Sequence, residues 1–228
     1  MNMQDVSEAE AAQQQCPVYV DAAVGLPTKV CRLTGFLGEQ ISAALLERAI
    51  RAAEGPLTPA PVGPDWQVMP SVRRSQLDMG FAVPELLSAI DGVVETVERI
   101  LGVSCRDTKP CYSLNVYGEG DFFVPHQDSW DTFHPERVVT FVYYLHRTPR
   151  SFEGGALRVF DTSVPLRVDG RMPAWEERTW RDYPPEHDSI VFFHPGSWHE
   201  ARPVHCPTQD KQDSRFAING WLARRPSV

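Results

Sequence analysis

The sequence predicts a mainly β domain with flanking helices, built as a sheet sandwich or double-sheet barrel. Three observations predict it. Two helical stripes occupy residues 38–101, the apolar period changes from 3.6 to 2 near residue 112, and no helical segment alternates with the strands that follow. At 228 residues and 25.7 kDa the chain suits one compact domain with helical support. Residues 1–16 are polar and Gln-rich and read as a disordered N-terminus. Residues 17–228 read as a single domain, with helical support over 36–102 and a β core over 111–224.

The first helix runs from Gly38 to Glu54, with Ile41, Ala44, Leu45 and Ala49 on one stripe. The Pro-rich stretch from Gly55 to Pro64 reads as a loop. The second helix has Pro84 at its first position, Gly102 at its stop, and a stripe of Leu86, Ile90, Val93, Val97 and Ile100. Strands are predicted at Tyr112–Tyr117, Phe122–Val124, Arg137–His146, Ala156–Phe160, Ser189–Phe193, His199–Val204 and Arg215–Leu222. Each is rich in β-branched or aromatic residues and bounded by Gly, Pro or Asp. Two inserts, 55–75 with Arg73-Arg74 and 161–186 with Trp175, Trp180 and Tyr183, are candidate lids or substrate-contact segments.

Composition excludes several classes. Hydrophobic residues at 42% and charged residues at 23% describe a globular chain. A net charge of −8 matches nucleic-acid phosphates poorly, so nucleic acid is not expected as a partner. The apolar run Val138–Leu145 is too short for a bilayer, and Asp5, Glu8 and Glu10 stand where a signal peptide needs basic and then apolar residues. No membrane partner is expected, and the expected location is the cytoplasm. The five cysteines (Cys16, Cys31, Cys105, Cys111 and Cys206) are scattered without a C-x-x-C pair, as reduced structural thiols would be.

The chemistry concentrates in three segments. Val124-Pro125-His126-Gln127-Asp128 carries an H-x-D pair, and residues two apart on an extended strand share a face, so His126 and Asp128 can grip one ion together. Alone this is weak, because a chain of this composition holds such a pair by chance about half the time. Ser197-Trp198-His199-Glu200-Ala201-Arg202-Pro203-Val204 adds an imidazole after the apolar run Ile190–Phe193, with His194 as its local rival. On the last strand Arg215, Ala217, Asn219 and Trp221 share one face, and Phe216, Ile218 and Leu222 take the other. Both faces are apolar enough to be covered, so Arg215 needs an anion: an internal salt bridge, or a ligand carboxylate held by its planar fork. Two imidazoles and one carboxylate form the facial ligand set of non-haem Fe(II) oxygenases, which leaves positions for a chelating 2-oxo acid and O2.

Six blocks occur in one order: Tyr117-Gly118-Glu119-Gly120, His126-Gln127-Asp128, Val139–Leu145, Glu153–Phe160, His199–Val204 and Arg215–Ile218. With them, residues 112–223 resemble the Fe(II)/2-oxoglutarate-dependent dioxygenase superfamily, in its prolyl-4-hydroxylase-like branch. The resemblance implies a double-stranded β-helix, a jelly-roll or cupin-like core, with Fe(II) held by His126, Asp128 and His199. It also implies that Arg215 binds the C5 carboxylate of 2-oxoglutarate, with Tyr144 helping and Tyr117 near the chelating end. His126, Asp128, His199 and Arg215 are then the catalytic set. The family register selects His199 over His194, His205, His187 and His134. It also selects Tyr144, which shares a strand face with Val142, Thr140 and Val138, over Tyr143. Gly154-Gly155 reads by itself as a hairpin or bulge, while the resemblance implies that this block lets the chain pass close to the co-substrate, with no contact by the glycines themselves.

The implied reaction hydroxylates an unactivated C–H bond with O2 while 2-oxoglutarate is decarboxylated to succinate and CO2, with ascorbate a candidate stimulant. Asp128 argues against halogenation, because halogenating relatives lack that carboxylate. The substrate is a peptidyl-prolyl side chain or a small amino-acid-like or natural-product metabolite. Arg137, Asn219 and Trp221 are expected to line its side of the cavity. Arg137, Arg73 and Arg74 are candidates to meet a substrate carboxylate, with solvated surface arginines the plainer reading for Arg73 and Arg74. The alternative from another class is a non-catalytic cupin-like metal- or ligand-binding or sensing protein. Arg215 speaks against it, since such a protein has no reason to place a dicarboxylate anchor after the last histidine.

Overall fold

The computed structural model describes residues 23–130, 132–165, 172 and 174–224. The N-terminal segment 1–16 lies outside them. In chain order the elements are β1 (Ala23–Leu26), β2 (Val30–Thr34), α1 (Glu39–Glu54), β3 (Thr58–Pro59), β4 (Arg73–Arg74), β5 (Gln76–Asp78), α2 (Pro84–Leu101), β6 (Thr108–Tyr117), β7 (Phe122–His126), β8 (Arg137–Leu145), β9 (Glu153–Gly154), β10 (Leu157–Phe160), β11 (Thr162–Pro165), β12 (Trp180–Tyr183), β13 (Ser189–Phe193), β14 (His199–Ala201), β15 (Val204–His205) and β16 (Arg215–Arg224). They fall into two compact units. Of the described residues the smaller comprises 23–26, 163–165, 172 and 174–178, and β1 pairs with β11 as a two-stranded ribbon.

The larger unit, 27–162 with 179 onward, is a double-stranded β-helix. Its major sheet has the order β2-β13-β8-β16-β6-β5-β3, and its minor sheet β12-β10-β14-β7-β4. The central strands of the major sheet are buried on both faces, which explains the unbroken apolar run of β8. Val139, Phe141, Tyr143 and Leu145 face one way and join Ile190, Phe192, Phe216 and Ile218 in the main core. Val142 and Tyr144 face the other way and pack with Leu157, Val159, Val191, Phe193 and Ala217 between the sheets.

Helices α1 and α2 cover the outer face of the major sheet through Leu45, Leu46, Ala49, Leu86, Ile90 and Val97. Each of the Leu, Ile and Val side chains among them contributes about 1.5–3 kcal/mol by leaving water. The sequence pattern differs from the buried face at Ile41 and Ala44 in the first stripe and at Ile100 in the second. Ile41 is 44% exposed and Ile100 40% exposed, because Leu46 and Leu101 take the inward positions. Gly102 stops α2 in the left-handed conformation, φ 74°, as the pattern requires.

Local differences from the sequence reading have backbone causes. Arg202-Pro203 splits the expected strand His199–Val204 into β14 and β15, since proline offers no N–H to a ladder. The Pro-rich stretch is not wholly loop: Thr58–Pro59 is a two-residue edge strand against β5. Farther along that insert, β4 pairs with β7 in the minor sheet and β5 with β6 in the major sheet, with buried Ser75 between them. No described helix is long and apolar enough to cross a membrane. Cys31, Cys105 and Cys206 are buried free thiols, and Cys111 is exposed.

The start of α1 is held from far along the chain. Gly38 offers no capping side chain. Instead the Asp188 carboxylate accepts the N–H groups of Leu37 (2.8 Å) and Gly38 (2.9 Å) and the Tyr143 hydroxyl (2.7 Å). Asp188→Ala strands the buried Tyr143 hydroxyl and removes the acceptor of two partly exposed N–H groups, so chemical denaturation should show a loss of about 2–3 kcal/mol. Asp182→Ala, which breaks an exposed pair with Arg158, should cost under about 1 kcal/mol in the same assay.

Candidate active site

β7 and β14 lie side by side in the minor sheet with His126 opposite His199. Asp128 follows β7, and its backbone N–H donates to Pro195 O at 2.8 Å, tying it to the turn that precedes β14. His126 Nδ1 is bonded to Val124 O (2.8 Å) and His199 Nδ1 to Ser197 O (2.9 Å). A carbonyl only accepts, so both protons sit on Nδ1 and each Nε2 keeps a lone pair directed inward. These Nε2 atoms lie 3.7 Å and 3.5 Å from different oxygens of the Asp128 carboxylate. The donor atoms of the three residues lie within 4.8 Å of one another, and no comparable group occurs among the described residues.

The electrostatics suit a divalent cation. Burial and the neighbouring His199 push His126 down to about 3, so its imidazole is neutral at ordinary pH. Burial pushes the Asp128 carboxyl upward, but the two imidazoles and the Thr140 hydroxyl, which donates at 2.8 Å, outweigh it and the net direction is down. The Trp221 indole N–H faces the same carboxylate outside hydrogen-bond geometry. Two imidazoles with free Nε2 lone pairs and one ionised carboxylate are the donor chemistry that Fe(II) takes.

Arg215, 2% exposed, opens β16 opposite Tyr117 of β6. Its guanidinium lies 4.5 Å from the Tyr117 ring centre and 4.9 Å from that of Tyr144. No described carboxylate pairs with it, so the internal salt bridge is not formed. Arg215 Nε and Nη1 and the Tyr144 hydroxyl are buried without hydrogen-bond partners. Burial pushes Tyr144 up to about 12 against the pull of Arg215, which keeps its hydroxyl a donor. A desolvated guanidinium beside a phenol donor is a receptor for a carboxylate, and this fits 2-oxoglutarate. Gly155, at φ +67°, makes the space: a Cβ there would lie 2.7 Å from Arg215 Cδ.

One cavity of ≈ 390 Å³ takes in the triad, Arg215, Tyr117 and Tyr144, and also Arg137, Asn219 and Trp221. Strict alternation would put Arg137 with Val139 on the helix side. The ladder between β8 and β16 slips at Val138, however, because Leu222 pairs with Val139 and Ala223 with Arg137. The bulge returns Arg137 to the cavity and sends Val138 to the helix-side core, which corrects the expected face of Val138. Arg137 donates to Asp128 O (2.8 Å) and stacks 3.7 Å over Trp221. Of the arginine pair, Arg73 lines the cavity, whereas Arg74 turns to Asp121.

The rival histidines are occupied elsewhere: His194 accepts from Gly196 N, His187 bonds Ser42, and His205 and His134 pair with Glu119 and Glu136. The first insert reaches the cavity with Pro61, Val62, Trp66 and Arg73. In the second, Trp180 is 43% exposed beside Arg158, and Tyr183 packs beneath the inter-sheet cluster. Two contributors escaped the sequence reading: Thr140, and Phe123, whose ring stacks 3.5 Å from His126. Thr140 alone had a signal, its shared face with Tyr144.

The geometry defines a double-stranded β-helix in which one cavity brings together a His–Asp–His group that could hold a metal ion and a buried guanidinium without a hydrogen-bond partner at Nε or Nη1. Residues 112–223 match the family model of the 2OG-Fe(II) oxygenase superfamily. A stretch of 112 residues is 31% identical to an uncharacterised PKHD-type hydroxylase of Synechocystis sp., covering 49% of this chain and 35% of that protein. The match thus spans about a third of that relative's length. A prolyl-4-hydroxylase of Pseudomonas putida superimposes with TM-score 0.61 at 25% identity, covering 87% of this chain and 94% of the other. A prolyl hydroxylase of Trichoplax adhaerens, in complex with a hypoxia inducible factor peptide fragment, shares the fold with TM-score 0.59 at 17% identity, covering 86% and 84%. Residues 112–223 are thus similar in sequence to the 2OG-Fe(II) oxygenase superfamily.

Metal titration tests the cluster. His126→Ala, Asp128→Ala and His199→Ala should each weaken binding of Co(II), used as a visible probe, about a hundredfold or more. Thr140→Val should weaken it about tenfold, and His194→Ala should leave the Co(II) spectrum unchanged.

Proposed function

We propose that this protein is an Fe(II)- and 2-oxoglutarate-dependent dioxygenase that hydroxylates an unactivated C–H bond of a prolyl or small amino-acid-like substrate. One observation carries the reading: the cavity that holds His126, Asp128 and His199 also holds a buried, unpaired Arg215 beside an unpaired Tyr144 hydroxyl. A metal-sensing cupin-like protein has no use for that second receptor.

His126, Asp128 and His199 would hold the iron, as two neutral donors and one anion. When bound, iron and 2-oxoglutarate supply O2 activation and decarboxylation, so that substrate, O2 and 2-oxoglutarate give hydroxylated product, succinate and CO2. Arg215 would grip the far carboxylate of 2-oxoglutarate through its fork, with Tyr144 O–H as a further donor and the Tyr117 ring as a wall. Thr140 steadies the Asp128 carboxylate, and the two carbonyls on Nδ1 fix the imidazole tautomers. The apolar wall of Val142, Leu157 and Ala201 keeps water from the reacting atoms. A cytoplasmic location is supported by the free thiols of Cys31, Cys105, Cys111 and Cys206.

Anaerobic addition of Fe(II) and then 2-oxoglutarate should produce the visible charge-transfer band of the chelate. His126→Ala should abolish the band. Arg215→Ala, and Gly155→Ala through the clash with Arg215, should each require about tenfold or more 2-oxoglutarate to reach it. No band despite tight metal binding would return the protein to the metal-binding cupins.

A further inference from the structure

The three arginines that line the cavity, Arg73, Arg137 and Arg215, have no carboxylate partner among the described residues. Half-buried arginines elsewhere do: Arg32 pairs with Glu186, Arg48 with Glu85, and Arg158 with Asp182. In a chain with a net charge of −8 such partners are plentiful, so three guanidinium groups in one cavity without an ion-pair partner call for ligands, even with Asp128 and Glu136 in the neighbourhood of Arg137. Arg215 is accounted for by 2-oxoglutarate. A divalent metal, ionised Asp128 and doubly charged 2-oxoglutarate together carry one negative charge, which Arg215 balances. Arg73 and Arg137 are left over.

Arg73 is the better placed for recognition. Its neighbour Arg74 faces away from the cavity, over the Phe122 ring and beside Asp121. Arg73 points in, 4.8 Å over Phe123, whose ring in turn stacks on His126. Its fork is oriented by neutral acceptors only: Ser75 Oγ at 3.2 Å, Pro61 O at 3.4 Å and Asn115 Oδ1 at 2.5 Å. These acceptors fix the guanidinium without cancelling its charge, as a preformed anion receptor requires. On the major-sheet wall that Arg73 reaches through Asn115, Asn219 stands opposite Ser113, and its Oδ1 is buried and unpaired and awaits a donor. A carboxylate together with an N–H is the chemistry of an amino acid.

We infer that Arg73 receives a free carboxylate of the substrate, with Arg137 as a second positive wall and Asn219 accepting from the substrate N–H. The oxygenated substrate is therefore a free amino acid or the C-terminal residue of a peptide, not an internal prolyl residue. This rests on the dioxygenase reading. An internal residue has no anion to offer and would seal Arg73 against neutral groups, which costs binding.

The test starts from the anaerobic Fe(II)–2-oxoglutarate complex of the full chain. The probes are the common amino acids including L-proline, their primary amides, glycyl-L-proline, and N-acetyl-L-proline N-methylamide as the internal analogue. Shift of the charge-transfer band reports binding, and succinate release in air reports turnover. At least one free acid, or glycyl-L-proline, should shift the band and accelerate succinate release about tenfold or more over its amide. Which of the two acts separates a free amino acid from a peptide terminus. Arg73→Gln should raise the half-saturating concentration of that acid about tenfold or more with the 2-oxoglutarate requirement little changed. Arg73→Lys should recover part of the loss, and Arg74→Gln should not alter acid binding. Equal action of amides or of the internal analogue, no action by any acid, or an Arg73→Gln effect confined to 2-oxoglutarate would each overturn the inference. Loss of the band before any probe is added would overturn the dioxygenase reading instead.

Discussion

β16 lies in the middle of the major sheet, hydrogen-bonded to β8 on one side and to β6 on the other, and both of its faces are covered. The period of two along it divides the molecule. Phe216, Ile218 and Leu222 complete the core beneath the helices, while Arg215, Asn219 and Trp221 form the cavity wall. A slip of one residue would exchange the faces and drive Arg215 into the helix-side core, at a cost of several kcal/mol for an unpaired buried charge. Gly220 guards the register. A Cβ there would lie 2.3 Å from Phe141 Cζ, so only glycine can pass the ring that β8 presents at that level. The chemistry of the cavity thus depends on a packing constraint on the opposite face of the same strand.

The charge distribution follows from that constraint. A fold with an excess of acidic groups has concentrated three arginines without anionic partners in a single cavity, around a cluster that itself wants a cation. Like charges in one cavity repel, and an anion that bound there would relieve the repulsion; a ligand that binds only the folded chain adds stability as RT ln(1 + [L]/Kd).

Much of this was legible in the residues themselves. His126, Asp128, His199 and Arg215 sit in segments whose neighbours fix the local geometry, so spacing alone placed them on shared faces, and the family likeness chose among rival histidines. The helices were legible because their stripes are long. What escaped depends on contacts between distant segments. Ile41 and Leu46 differ by little in hydropathy, and only docking against the sheet decides which faces inward. Arg137 reaches the cavity through a one-residue bulge that no alternation rule anticipates. Asp188 caps a helix about 150 residues before it. Which of Arg73 and Arg74 points inward is set by a two-residue strand that exists only because β7 is there to pair with it.

The same short strand has a consequence for how this scaffold can change. Between β3 and β4 the chain runs along the cavity mouth, with Trp66 62% exposed, and both ends are fastened: β3 to β5, and β4 to β7. Residues 60–72 are therefore a replaceable cassette. Their length and composition can be rewritten in a laboratory graft, or drift over evolution, while the strands that carry the metal ligands and Arg215 keep their register. New substrates can be acquired there without renegotiating the chemistry below.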